Sequence, residues 1–269
     1  MTDDTSLNMQ PPEMETGPSG EGSTVQPMSI SDKFVGVLSE PGAMYDNIRQ
    51  AGPRTSDWLA PLVVMILVLV VVRLVQVSNP GFSDQLLQIQ RQAMEERFTK
   101  EIEAGNMTQE QADKAMETAE KFMGMSAAFS IIGIIIFVPI VFFFMALVYW
   151  LLLKFIFKSN VSYKMVLSAY GPVSYIGAIE QILGLLVMFI TGNALASFSL
   201  GVLMTPDLQS TTWMLLSSLN PITILSLVVL AIGFTRVAEI SSAKAYGLVF
   251  ALWIVWTVIK VFAGFGFGT

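Results

Sequence analysis

Apolar positions in this chain fall into long unbroken runs in some stretches and into helical spacing in others. Residues 59–72 (LAPLVVMILVLVVV) and 123–153 carry no charge, and 166–204 carries only Glu180. Such runs exceed the needs of a soluble core. They suit a bilayer, whose hydrocarbon is crossed by roughly 20 apolar residues of helix. The pattern predicts five spans, at about 58–77, 126–153, 172–191, 221–237 and 246–262. Trp58 places the start of the first at interfacial depth, Asn79-Pro80-Gly81 stops it, and Pro139 is free to kink the second. The weakly polar connection before the fourth carries Trp213, Leu215 and Leu216, which suit the interface.

Elsewhere the apolar positions recur at helical intervals. Phe34, Val35, Leu38, Tyr45 and Ile48 form such a stripe, broken by Pro41 and closed by Gly52-Pro53. It predicts two short amphipathic helices over 29–57, lying on the membrane surface or packed on cytosolic loops. The charged insert at 82–122 reads as a helical hairpin. Ser83 is the expected cap of its first helix, whose stripe is Leu87, Met94, Phe98 and Ile102. Gly105-Asn106 ends that helix. Thr108 and Gln111 have capping-box spacing, and Ala112, Ala115, Ala119 and Phe122 make the second stripe, which is expected to run unbroken into the membrane. Residues 1–28 are acidic, polar and rich in Pro and Gly, and are expected to be a disordered tail without a cleavable signal peptide. The fold class is therefore all-α. It is a polytopic membrane helix bundle at 58–264, with five transmembrane helices and an extramembrane helical hairpin between spans one and two.

Composition narrows the chemistry. Hydrophobic residues are 53% and charged residues 13%, with a mean hydropathy of +0.62, which belongs to membrane proteins. A net charge of −6 without a basic patch excludes nucleic acid as the expected partner. Cysteine and histidine are both absent. Disulfides, thiol nucleophiles, Cys/His zinc sites and imidazole acid–base catalysis go with them. No Gly-x-Ser-x-Gly elbow, Walker loop or dinucleotide fingerprint occurs. The expectation is no catalytic residue, no cofactor and no metal.

Charges then set the orientation. With the N-terminus in the cytoplasm, the short inner loops hold Lys154, Lys158, Lys164, Arg236 and Lys244, and the short outer loop holds no Lys or Arg. This obeys the positive-inside rule, although the outer insert also carries five Lys/Arg.

Intramembrane charge is costly and often functional. Glu180, beside Gln181 in the middle of the third span, could be a proton or cation site, half of an ion pair with Arg73, or a hydrogen-bonded carboxyl joining helices. Arg73 and Lys260 lie a turn or so from span ends, where snorkelling suffices to explain them. Arg236, Glu239 and Lys244 cluster in the turn between spans four and five, as a headgroup or partner contact or a solvated loop with local ion pairs. The lysines after span two set topology and are candidates for anionic lipid contact. Gly177 with Gly184, and Gly247 with Ala251, have spacings that suit close helix packing.

Three segments carry a family resemblance. SDKFVGVLSEPGAMYDNI (31–48) resembles the approach to the first span in prokaryotic Yip-domain proteins. FKSNVSYKMVLSAYGPVSYIGAIEQILG (157–184) resembles the start of their third span, and SLNPITILSLVVLAIGFTRVAEISSAKAYGLV (218–249) their fourth and fifth. The resemblance covers about 30–262. It implies a five-helix membrane domain with a cytoplasmic N-terminus, a far-side C-terminus and a prokaryotic cell membrane as its location. Eukaryotic relatives bind Rab-type GTPases and prenylated partners, but their Asp-Leu-Tyr-Gly-Pro signature is missing before Leu59, and Tyr170-Gly171-Pro172 is only a fragment of it in another span.

Two functions remain in view. One is a non-enzymatic scaffold in membrane organisation or trafficking that binds lipids, or protein partners through the 82–122 hairpin. The other is a small permease or ion-coupled transport component that uses Glu180.

Overall fold

The computed structural model describes residues 25–123, 126–205 and 210–262. Residues 1–24 of the expected tail, and the passage from the hairpin into the second span at 124–125, lie outside the described residues. All regular structure among the described residues is helical. In chain order it comprises α1 (Ile30–Ser39), α2 (Pro41–Ala51), α3 (Thr55–Ser78), α4 (Pro80–Glu103), α5 (Gln109–Met123), α6 (Ser126–Phe155), α7 (Tyr163–Tyr170), α8 (Val173–Thr191), a short 3-10 helix (Leu200–Leu203), α9 (Thr211–Ser218), α10 (Pro221–Val237) and α11 (Ser242–Phe262).

Among the described residues, four helical stretches are long and apolar enough to cross a bilayer: Thr55–Ser78, Ala128–Phe155, Tyr163–Thr191 and Ser242–Val261. The pair α9–α10, bent by 52° at its break, reaches that length and apolarity only when its two helices are taken together, which gives four to five candidate spans among the described residues. Only 11% of the α6 window is buried. Ile136, Ile140, Phe144 and Phe155 are each more than half exposed, as a lipid-facing surface requires.

Local chemistry explains most helix ends. Ser29 and Asp32 form a capping box at α1, and Pro41 occupies the first position of α2, where its missing N–H is harmless. Asn79, rather than Ser83, caps α4: its Oδ1 accepts from the Phe82 N–H at 3.2 Å, with Pro80 in the first helical position. Thr108 and Gln111 make the reciprocal capping bonds at α5. The third span starts earlier than its apolar run. Ser162 caps α7, and α7 leads into α8 through Gly171-Pro172. Gly171 is required there because a Cβ would collide with the backbone of Asp57 and Trp58.

The main core sits at the N-terminal face of the bundle. Met44, Tyr45 and Ile48 of α2 pack with Tyr149, Leu153, Val166, Leu230 and Phe234 from α6, α7 and α10. The N-terminal helices are thus part of the bundle. The Tyr45 ring occupies the space beside Gly233, where a Cβ would lie 2.7 Å from it, and its hydroxyl donates to the Ala169 carbonyl at 3.0 Å. In α1 the buried face is Lys33, Gly36 and Val37, while the apolar stripe of Phe34, Val35 and Leu38 is exposed. Asn47 holds the chain at Gln26 and Met28, so the end of the segment expected to be disordered is tied to α2.

At the opposite face α4 and α5 form the hairpin. Its base is fixed by Phe82, which packs on Met188, Ala194 and Ala196. Gln85 adds two bonds to the turn after α8, donating to the Gly192 carbonyl and accepting from the Ala194 N–H.

Candidate functional site

Glu180 lies on α8 opposite the break between α9 and α10. That break is built by Asn220-Pro221. The Asn220 side chain accepts from the Ile222 N–H at 2.8 Å, and Pro221 opens α10. The same asparagine turns its amide toward Glu180, with Nδ2 donating to Oε1 at 2.8 Å. One turn further, the Thr223 hydroxyl lies 3.0 and 3.1 Å from the two carboxylate oxygens. Lys260 of α11 makes no ion pair with Glu180 among the described residues. Both carboxylate oxygens are therefore engaged between α8 and α10, which supplies the partners that a half-buried carboxyl needs in an apolar surrounding.

The expected intramembrane set does not assemble as one site. Gln181 is half-buried beside Glu180. Arg73 turns to α6, where its Nε donates to Ser130 Oγ at 2.8 Å. Glu180 is met instead by Asn220 and Thr223, neither of which stood out in the sequence. Asn220-Pro221 reads there as a helix start. Thr223, three residues on and hence on a neighbouring helical position, was the available signal.

The charged turn after α10 is tied to α2 by two pairs. Arg49 meets Glu239 at 2.6 Å, and Arg236 meets Asp46 at 3.3 Å. The expected pairs local to the turn are replaced by these longer-range ones, because α2 packs alongside α10. Lys244 and Lys164 are exposed. Lys154 stands over the Trp150 ring at 4.8 Å from its centroid, a cation–π arrangement.

A buried ion pair joins α1 to α3. Lys33 Nζ lies 2.6 Å from Asp57 Oδ1, with the side chains 6% and 1% exposed. The other Asp57 oxygen accepts from the Arg54 N–H at 2.9 Å. The only sequence signal for Lys33 is its position four residues before Val37, on the face that becomes buried. Among glycines, Gly177 receives Met65 from α3, but nothing approaches within 4 Å of a Cβ at Gly184 or Gly247. Those two expected packing positions stay open, and Gly171, Gly201 and Gly233 are the tight ones.

Among the described residues no cluster of three or more His, Cys, Asp or Glu could hold a metal ion. A family model described as the Yip1 domain matches residues 35–264. No curated protein and no solved structure matches the chain.

Proposed function

Because the chain belongs to the Yip1 domain family, we propose that this multi-pass membrane protein is a non-enzymatic scaffold that binds lipids and protein partners in membrane organisation or trafficking. The observation that carries this reading is the state of Glu180. Its carboxylate is held by Asn220 and Thr223 between two helices, the geometry of a group that joins helices. The hairpin α4–α5 stands apart at the opposite face from α1 and α2 and offers an extended polar surface to a partner. The charge of the short loops supports a reading with α1 and α2 in the cytoplasm and the hairpin outside a prokaryotic cell membrane.

The test is crosslinking in the native membrane from photoreactive residues at Gln92 and Lys100, both exposed on α4. A scaffold gives a discrete partner band from these positions and none from the lipid-facing Phe137, which is 64% exposed. In the same membranes Glu180→Gln leaves that band unchanged. A second reading, ion-coupled transport, draws support from the break itself, since discontinuous helices with polar groups at mid-membrane form transporter sites. If Glu180→Gln abolishes an ion gradient in reconstituted vesicles while the crosslinked band persists, transport replaces the scaffold.

A further inference from the structure

We propose that the cleft between the end of α6 and the start of α7 binds the phosphate of an anionic phospholipid headgroup, with Lys154 and Lys158 as its charged ligands. The inference rests on the scaffold reading and specifies its lipid component. The cleft is open on one side, has a volume of about 600 Å³ and is lined by Trp150, Lys154, Lys158, Ser159, Asn160 and Tyr163, among others. That is the volume of a small-ligand site.

Its walls are fixed. The Trp150 indole N–H donates to the Val161 carbonyl at 3.1 Å, and Ser159 Oγ donates to the Ala238 carbonyl at 2.8 Å. The tryptophan ring in turn holds the Lys154 ammonium above its face. Neither lysine forms an ion pair among the described residues, and no acidic residue occurs in the chain between Glu120 and Glu180. Glu239, on the turn that Ser159 touches, is engaged by Arg49.

Backbone geometry at Lys158 points the same way. Its φ is 55°, in the left-handed region, and the next N–H, that of Ser159, closes back on the Leu153 carbonyl at 3.0 Å. This is the helix-ending position that glycine occupies at least cost. A lysine there is held against backbone preference, as befits a side chain whose charge has a use.

The ligand class follows from what adjoins the cleft. Ile140, Phe144, Leu147, Leu151 and Phe155 are exposed on α6 at spacings of four, three, four and four, ending at the cleft. They form a continuous apolar track for acyl chains. A soluble phosphate compound would gain nothing from it.

Native mass spectrometry of the full-length protein, delipidated in detergent and titrated with phosphatidylglycerol or phosphatidylcholine, tests the site. Phosphatidylglycerol should be retained and phosphatidylcholine lost. Lys154→Gln and Lys158→Gly should each weaken retention about fivefold, the effect of removing one interfacial cation. Lys244→Gln, at an exposed lysine on α11, should leave it unchanged. Lys158→Gly should melt no lower than the natural protein, which separates lost binding from lost folding. Unchanged retention in Lys154→Gln and Lys158→Gly overturns the site. Displacement of phosphatidylglycerol by inorganic phosphate or glycerol phosphate at equal concentration overturns the lipid assignment. Hairpin crosslinking is measured separately, so failure here is distinguishable from failure of the scaffold.

Discussion

At the scale of single residues, two enclosed polar side chains govern how the N-terminal segment attaches. Lys33 and Asp57 are buried together, so removing one partner strands the other charge. Lys33→Met is expected to cost about 3–5 kcal/mol of stability, and Lys33→Met combined with Asp57→Asn to recover part of it. Thermal unfolding in detergent reads both, and an unchanged melting temperature in the single variant would contradict the pair's role. Tyr45 gives a pH signature. Burial pushes its hydroxyl well above the ordinary tyrosine range. A raised value means that the native state holds its proton more tightly than the unfolded chain does. Its contribution is therefore complete below the unfolded value of about 10 and is lost as pH rises through the folded one. Melting temperature should fall less steeply above that pH in Tyr45→Phe than in the natural protein, after a loss of about 1 kcal/mol at neutral pH for the missing bond to Ala169. The sequence placed Tyr45 on an apolar stripe but marked neither its hydroxyl partner nor Lys33. A lysine or tyrosine among apolar neighbours looks the same whether it faces lipid, water or a partner carboxylate.

At the scale of elements, α2 is joined to α10 by shape as well as by charge. Gly233→Ala would press a methyl group into the Tyr45 ring, which is fully buried. The expected cost is about 1–3 kcal/mol, with α1–α2 released to protease before the spans unfold; limited proteolysis against melting temperature measures that order. Helix identities were largely readable from the chain. Pro41, Asn79-Pro80, Gly105-Asn106 and Asn220-Pro221 punctuate it where helices stop and start, because capping and proline effects act within a turn. Faces were less readable. The stripe of Phe34, Val35 and Leu38 has the right spacing for burial, yet α1 turns Lys33, Gly36 and Val37 inward. The reason is that Met44 packs onto Gly36 and Asp57 neutralises Lys33. At the break between α9 and α10 the helix start is local, but the meeting of Asn220 with Glu180, a group 40 residues away, is not.

At the scale of the whole molecule, the faces are opposed: α2, the α6–α7 cleft and the charged turn lie together on one side, and the hairpin on the other. If the N-terminus is cytoplasmic, a cysteine replacing Ala104 at the hairpin tip should react with a membrane-impermeant maleimide in intact cells. Ala104 is chosen because Gly105 has a φ of +73° that a side chain would strain. The natural chain has no cysteine to interfere, and labelling only after the cells are opened would reverse the orientation. The sequence by itself determined that this is an all-helical membrane protein with a helical insert, because hydrophobic run length and composition decide what can cross a bilayer. It also determined most helix ends and named Glu180 and the loop lysines as the charges to examine. Only the tertiary structure decided what those charges meet. Glu180 is held by Asn220 and Thr223, Arg73 by Ser130, and the turn after α10 by α2. Pairings of this kind depend on the directions in which distant helices present their side chains, and neither run length nor helical period encodes those directions.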